Sequence, residues 1–454
     1  MQTQRAQSAG RRRQGIFILS AAAAALLSGA AALAAPFTPG DLVVDRVIGG
    51  TQAASEGAVG APGSAPMTGG GITAAVYLDE YTPTGTWVQS IVLPYNSTLA
   101  AAQPGNNVFG QVGGANTEGF LALSDNGQYF VAGGYKQSAY VTGVNANGSS
   151  SLVVPRVVAL VNMNGGVNTQ TALTDVSSGQ AFRSAYSSDG IDIWTNGTNG
   201  GNVTINSISV PTNGIHYSQI GAATSTQIQN TGAGGNRALK AFNQQLLLAN
   251  TGTPSTFRGV TALDTNFAGS KGPGLVTTTN LPGFSTTSDQ TDDFWFANSN
   301  TLYTADVRTD GTNGGVRKYI FSDTNADTIL DTWVFQYNVT LGLSTGTGNV
   351  GGYGIVGTSD GTNAAIYVTT FDGTAINANR IDKITDLLTG STPTDKTNAQ
   401  ASLQQLALST DQYANSAFRG IQIVPANAPE PGSMGLMLAA TGLAALRRRG
   451  RSAK

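Results

Sequence analysis

Residues 292–339 read DDFWFANSNTLYTADVRTDGTNGGVRKYIFSDTNADTILDTWVFQYNV, and this stretch decides the fold. It holds four short apolar runs at 294–297, 302–306, 316–321 and 332–339, separated by polar segments such as Asp310-Gly311. The last run alternates Trp333, Phe335, Tyr337 and Val339 against Val334, Gln336 and Asn338, the period of two that marks a strand with one aromatic face. Four strands in fewer than 50 residues, joined by turns, make one small antiparallel sheet.

The same unit recurs loosely on both sides. One group spans 118–175, with strands near 120–123, 129–132, 156–161 and 170–173; a second runs from Phe182 to about Ile228. A third opens at Arg237, continues through 239–242, 246–249 and 257–263, and ends near Leu281. A later group, 353–386, supplies 354–357, 365–370 and 380–384. Asp125-Asn126-Gly127, Asn164-Gly165-Gly166, Asp189-Gly190, Asn196-Gly197, Asp310-Gly311, Asp360-Gly361 and Asp372-Gly373 are the expected hairpin turns, because Gly and Asn tolerate positive φ.

Repeating four-stranded groups of 50 to 60 residues predict an all-β chain arranged as a β-propeller. Three N-terminal strands at 42–47, 75–81 and 87–93 lack a fourth, and a lone strand at 418–424 lacks a sheet. Together they complete a blade, which closes the ring and removes its free edges. The count is six four-stranded blades, with seven, a two-sheet sandwich or an open β-solenoid as alternatives. The lone strand begins Phe418-Arg419-Gly420, echoing Phe257-Arg258-Gly259 and Phe182-Arg183-Ser184. Residues 49–71, rich in Gly, Ala and Ser, are expected to form a flexible loop in the first blade, and 397–408 a short helix before the closing strand.

Composition agrees with that reading and excludes several functions. Only 11% of the 454 residues are charged, and 59 are Gly. Nine of the 24 basic residues sit in the two ends, so 36–430 holds 15 basic against 26 acidic residues, a net of −11. Such a field disfavours nucleic acid and anionic lipid as partners of the body. The absence of cysteine removes disulfides, thiolate metal sites and cysteine nucleophiles.

Both ends read as processing signals. Arg11-Arg12-Arg13, an apolar run over 16–27 and small residues ending at Ala34 and Ala35 make a signal peptide over 1–35, cut just after Ala34 or Ala35. At the other end Pro429-Glu430-Pro431 precedes an apolar run over 434–446 and the basic cluster Arg447, Arg448, Arg449 and Arg451. A short apolar helix is thus expected at each terminus. From Ser433 to Leu446 the second would span about 21 Å at ~1.5 Å per residue, a marginal membrane anchor. The arginines would keep its end on the cytoplasmic side, leaving Pro-Glu-Pro outside.

That order of parts resembles the PEP-CTERM sorting tail of Gram-negative bacteria, recognised by exosortase-type transpeptidases. The resemblance implies transient anchoring in the inner membrane, removal of the tail over 426–454, and delivery to the cell surface or an exopolysaccharide matrix. The body, 36–425, resembles exported bacterial β-propeller-like proteins that open with a Phe-x-Pro-Gly-x-Leu-Val-Val-x-Arg-Val pattern, here Phe37 to Val47. Leu78-Asp79-Glu80-Tyr81-Thr82-Pro83 and the Phe-Arg-Gly repeats extend it. This resemblance implies fold and address, with no established activity. The implied partners are the export machinery, signal peptidase, an exosortase-like transpeptidase, and exopolysaccharide or envelope proteins.

Chemistry-bearing residues are sparse. His216 is the single histidine and carries no adjoining nucleophile motif, so a loop or strand-surface role is expected of it. Glycoside chemistry would need two carboxylates, for which Asp79, Glu80, Glu118, Asp292 and Asp293 are candidates. Asp323, Asn325, Asp327 and Asp331 have the spacing of a calcium loop, with a polar hairpin as the alternative; no other cofactor is expected. The leading reading is a non-enzymatic surface or matrix protein that binds polysaccharide or an envelope protein. The alternative is an extracellular carbohydrate-active hydrolase or lyase.

Overall fold

The computed structural model describes residues 35–49, 71–198, 200–230, 235–252, 257–272, 274–284, 289–324, 330–342, 350–371, 379–412 and 416–426. The terminal apolar runs, the 49–71 loop apart from its two ends, and the Asp372-Gly373 turn lie outside them. Among the described residues no helix is long and apolar enough to cross a membrane.

Alternating apolar residues bury both faces of each small sheet. In β1 (Leu42–Ile48), Leu42 and Val44 join one hydrophobic cluster, whereas Val43 and Val47 join another. β2 (Thr73–Tyr81) and β3 (Trp87–Val92) follow it in the first blade, and the short helix α1 (Ser97–Ala101) and β4 (Gln111–Val112) lead onward. The second blade holds β5 (Ala122–Leu123), β6 (Tyr129–Tyr135), β7 (Arg156–Asn162) and β8 (Val167–Leu173). The third takes β9 (Phe182–Ser187) and β10 (Asp192–Gly197), a side hairpin of β11 (Val203–Ile205) and β12 (Ile208–Val210), then β13 (Ile215–Gln219) and β14 (Thr226–Gln229).

β15 (Asn236–Phe242), β16 (Gln245–Asn250), β17 (Gly259–Asn266) and β18 (Thr278–Asn280) form the fourth blade. The fifth is β19 (Asp293–Asn298), β20 (Thr301–Asp306), β21 (Gly315–Ser322) and β22 (Thr332–Val339). β23 (Gly351–Ser359), β24 (Asn363–Phe371) and β25 (Arg380–Leu387) continue into helix α2 (Pro393–Ala401) and β26 (Gln404–Leu408) to make the sixth. The last strand, β27 (Ser416–Ile423), pairs antiparallel with β1, so the first blade is ordered β27-β1-β2-β3. The chain is therefore an all-β propeller of six four-stranded blades in a ring, closed by its two ends as expected.

The core lies between blades. Val157, Ala159 and Val161 of β7 pack toward the first blade, while Val158 and Leu160 pack toward the third. Leu246 and Leu248 of β16 face the third blade, and Leu247 and Ala249 face the fifth. Near the axis the backbones come together without side chains between them. A Cβ on Gly420 would stand 2.0 Å from the Leu121 nitrogen, and one on Gly354 would stand 2.8 Å from the Arg419 carbonyl, so glycine is required at both positions.

Four local expectations need correction. The aromatic face of β22 is split, because Gln336 bulges between the pairs Tyr319 with Phe335 and Lys318 with Tyr337. Trp333 then packs toward the fourth blade and Tyr337 toward the sixth, as a bulge shifts the alternation by one. Asn196-Gly197 is the end of β10 and not a turn; Asn196 donates to the Arg237 carbonyl at 2.8 Å and accepts from Asn236, which ties two blades together. The helix expected over 397–408 is α2 followed by the outer strand β26; Pro393 and a Thr392–Asp395 capping box start the helix earlier. Finally, Arg258-Gly259 opens β17, the third strand of its blade, whereas Arg183 and Arg419 lie in innermost strands, so only those two echo each other.

Candidate functional site

The innermost strands β5, β9, β15, β19, β23 and β27 surround the axis. In or before the first half of each stands a polar side chain that makes a ring around the axis: Glu118, four residues before β5, Arg183, Arg237, Asp292 just before β19, Tyr353 and Arg419. All are buried except Arg237, whose side chain is 12% exposed. The Tyr353 hydroxyl donates to the Glu118 carbonyl at 2.6 Å, and its ring stacks on Phe120 with centroids 4.9 Å apart. Arg237 Nε donates to Asp292 at 2.6 Å, and Arg183 Nη1 donates to the Thr117 carbonyl at 3.1 Å.

Arg419 holds the closing strand in this ring. It donates to Gln111 Oε1 at 3.0 Å and to the carbonyls of Val112, Gly113 and Ala115 at 2.6, 3.3 and 3.0 Å. Gln111 in turn donates to Asp45 at 2.7 Å. The Glu118 carboxylate accepts from the Tyr135 hydroxyl at 2.6 Å. Burial sets the electrostatics. It pushes the Asp292 carboxyl up to about 6 and Asp45 up to about 7, and it raises Glu118; it also pulls Arg183 down to about 9, helped by the neighbouring Arg237 charge. The charges here are matched, desolvated and directed between blades.

Three residues along from Arg183, Arg237, Tyr353 and Arg419 stand Tyr186, Lys240, Val356 and Gln422, about 10 Å away at ~3.3 Å per residue. These four line a cavity of about 390 Å³ to which all six innermost strands contribute. Its walls are aromatic: Tyr186, Phe242, Phe294, Trp295 and Phe296. Phe242 and Phe296 stack at 4.3 Å, Phe294 meets Phe296 edge-on at 6.0 Å, and Phe242, Trp295 and Phe296 remain partly exposed. Exposed Asp125 and partly exposed Pro425 lie at the rim.

Among the described residues two charged ones line this cavity, Asp125 and Lys240. The Lys240 ammonium is bound to both oxygens of Asp293 at 2.6 and 2.8 Å and to the carbonyls of Phe294 and Ile355. Burial lowers the lysine and raises the aspartate, and their attraction opposes both shifts. Polar edges in an aromatic bowl of this size suit a small ligand held by ring faces and a few hydrogen bonds.

The other candidates are distributed elsewhere. Asp79 pairs with Arg46 and accepts from Ser90 at 2.6 Å, and Glu80 accepts from Gln89 at 2.7 Å, so both serve the first blade. Asp292 and Asp293 bind different cations of the fourth blade, Arg237 and Lys240. His216 is not on a loop or strand surface: it is 1% exposed in β13, with Nε2 donating to the Asn213 carbonyl at 3.0 Å and Nδ1 2.9 Å from Ser225 Oγ. Ser225 also contacts Asp175 at 2.9 Å, linking the third blade to the second. The serine is the middle member of that chain, an order different from the nucleophile-activating Ser-His-Asp arrangement. Burial takes His216 down to about 4 and keeps it neutral.

Of the calcium-loop residues, Asn325 and Asp327 lie outside the described residues, and Asp331 accepts from the Thr324 hydroxyl at 3.0 Å. Among the described residues no three His, Cys, Asp or Glu side chains gather as a metal site. Pro429, Glu430, Pro431, the tail arginines and Ala34 lie outside the described residues, while Ala35 accepts from Gln89 at 3.0 Å.

Sequence reading missed the aromatic cavity and all but part of the arginine ring. The available signal was an arginine shared by three innermost strands, Phe182-Arg183, Asn236-Arg237 and Phe418-Arg419, second in β9 and β15 and fourth in β27.

No protein-family model matches this chain, and no curated protein sequence matches it. Among solved structures, a protein from Lactobacillus plantarum is 10% identical, with 84% of this chain and 99% of that one aligned and a TM-score of 0.39. A hypothetical selenium-binding protein from Sulfolobus tokodaii is 10% identical over 87% and 95% of the two chains, at 0.38. The β-propeller domain of Cps50 (Swd1) from Myceliophteria thermophila is 8% identical over 61% and 85%, at 0.29. Likenesses this distant carry no argument about activity, so the fold rests on the six blades themselves.

Proposed function

We propose that this chain is an exported binding propeller of the bacterial cell envelope or its extracellular matrix, which takes up a saccharide, free or as part of an exopolysaccharide, in the axial cavity. Export begins with cleavage after Ala34 or Ala35. Sorting proceeds through Pro429-Glu430-Pro431, the apolar run and Arg447, Arg448, Arg449 and Arg451, read by an exosortase-type transpeptidase. The cavity observation carries the binding part: three of the six innermost strands, β9, β15 and β19, place five aromatic side chains around a cavity of about 390 Å³, an arrangement suited to stacking on sugar rings.

Binding is favoured over hydrolysis by the placement of the acids. A glycosidase needs two carboxylates facing one bond across roughly 5 to 10 Å. Among the described residues Asp125 is the single acid lining the cavity, while Glu118 and Asp292, which come from different blades, are engaged by Tyr135 and Arg237 in the buried ring. The test is retention of the purified mature chain on a glycan array and on matrix polysaccharide, with released sugars assayed in the same samples. The expected result is retention without sugar release. No retention on any glycan contradicts the binding reading, and release of reducing sugar restores the hydrolase.

A further inference from the structure

We infer that the axial cavity selects a cationic amino sugar, one whose amino group carries no acetyl, over neutral and acidic sugars, and that Asp125 is the residue that reads the ammonium. The inference rests on the reading that the cavity takes a saccharide and adds to it the charge of the ligand.

Asp125 is fixed by its backbone and left open at its side chain. It stands in the turn between Ser124 and Gly127 of the second blade, where the Gly127 amide donates to the Ser124 carbonyl at 2.8 Å and Gly127 takes a φ of 67°. The Asp125 and Asn126 amides donate to the Ser187 and Ser188 carbonyls of the third blade at 3.3 and 3.0 Å, so the tip of the turn is clamped across two blades. Among the described residues no donor or cation is bonded to the Asp125 carboxylate, and desolvation alone shifts it, upward. It lines the same cavity as the partly exposed rings of Phe242, Trp295 and Phe296.

Lys240 does not offset that charge. Its ammonium is given to Asp293 and to the carbonyls of Phe294 and Ile355, so it offers no free cation to an acidic ligand. In the buried ring behind it, Arg183, Arg237 and Arg419 are matched by Glu118, Asp292 and Asp45. The body as a whole carries a net of −11, a field that draws cations toward it. Ring faces and an unpaired carboxylate attract the same group, because the face of an aromatic ring is the negative part of its quadrupole. An acetyl group on the sugar nitrogen would cancel the charge, and a uronate would bring a second carboxylate against Asp125. Neutral sugar hydroxyls can bond to Asp125 but draw nothing from the field.

The test is titration calorimetry of the purified mature chain with hexamers of glucosamine, N-acetylglucosamine and galacturonic acid, at a slightly acid pH where the sugar amine is protonated. The glucosamine hexamer should bind at least about tenfold more tightly than the N-acetyl hexamer, the galacturonate hexamer should bind most weakly, and the preference should shrink as salt is raised. Asp125→Asn should reduce the preference to less than about threefold, while Asp125→Glu should keep most of it, both in proteins that melt cooperatively. Equal affinity for the glucosamine and N-acetyl hexamers overturns the charge selection and leaves the saccharide reading intact. A preference that survives Asp125→Asn overturns the role given to Asp125. Binding of none of the three hexamers contradicts the saccharide reading itself, and the inference falls with it.

Discussion

The two ends of the axial channel are built from the same six strands, three residues apart, yet they have opposite chemistry. At the closed end Glu118, Arg183, Asp292, Tyr353 and Arg419 are taken out of water, Arg237 is mostly so, and the group is bonded between blades. At the open end Phe242, Trp295 and Phe296 keep part of their ring surface accessible, and the one lysine is neutralised by Asp293. Charge near the axis is therefore not the mark of the proposed ligand site. The buried charges hold the ring shut, and the uncommitted surface is aromatic.

The largest effect should come from the closed end. Arg419→Ala removes the donor to Gln111 and three carbonyls, leaving several buried acceptors unsatisfied, and should cost about 3 to 5 kcal/mol in urea denaturation. Arg419→Lys should recover only part of this, since a point charge cannot reach all four acceptors. A loss of less than about 1 kcal/mol for the alanine variant would show that the ring is not what closes the propeller.

At the open end, Trp295→Ala should cost about 1 to 3 kcal/mol, because Trp295 is partly exposed but stacks on Tyr303 at 5.8 Å. Its glycan retention should fall much more than its stability. A variant that melts early but binds normally would reverse the assignment of roles.

A pH series sharpens the contrast. Asp45 has a folded-state value of about 7 against an ordinary 3.8, so the buried acid is easily kept neutral at low pH and must be charged at high pH. The folded state is favoured by this group below about pH 4, and the contribution is lost as pH rises toward about 7. Asp45→Asn should thus stabilise the protein at pH 8 by on the order of 1 to 3 kcal/mol, with the gain vanishing by pH 4. Asp125→Asn, at the exposed rim, where partial burial also raises the carboxyl, should show the same sign with pH but a smaller change than Asp45→Asn.

The same contrast explains what could be read from sequence. The strands, their grouping and the closing strand follow from local alternation and turn residues, and Gly127, Gly165, Gly190, Gly311 and Gly361 do take positive φ at the expected turns. The bulge at Gln336 does not, because it is set by how β21 pairs across from it. Asn196-Gly197 looks like a turn, yet its asparagine is fixed by partners in the next blade, at Asn236 and Arg237. The ring and the cavity are less legible still. Arg419 meets Gln111 across 308 residues of sequence, and Tyr353 meets Glu118 across 235. No local pattern registers such pairs; only the closure of six blades brings them together.

The assignment of binding to the open end is tested most directly by Phe242→Ala, which removes the partly exposed ring stacked on Phe296 and leaves every ring-closing bond in place. Glycan retention by the purified mature chain would be measured for this variant and for the wild type, with thermal melting followed alongside. Retention should fall at least about tenfold, equivalent to ~1.4 kcal/mol, while the melt stays cooperative and shifts by only a few degrees. Unchanged retention in a folded Phe242→Ala protein would contradict the assignment and place the ligand away from the axial cavity.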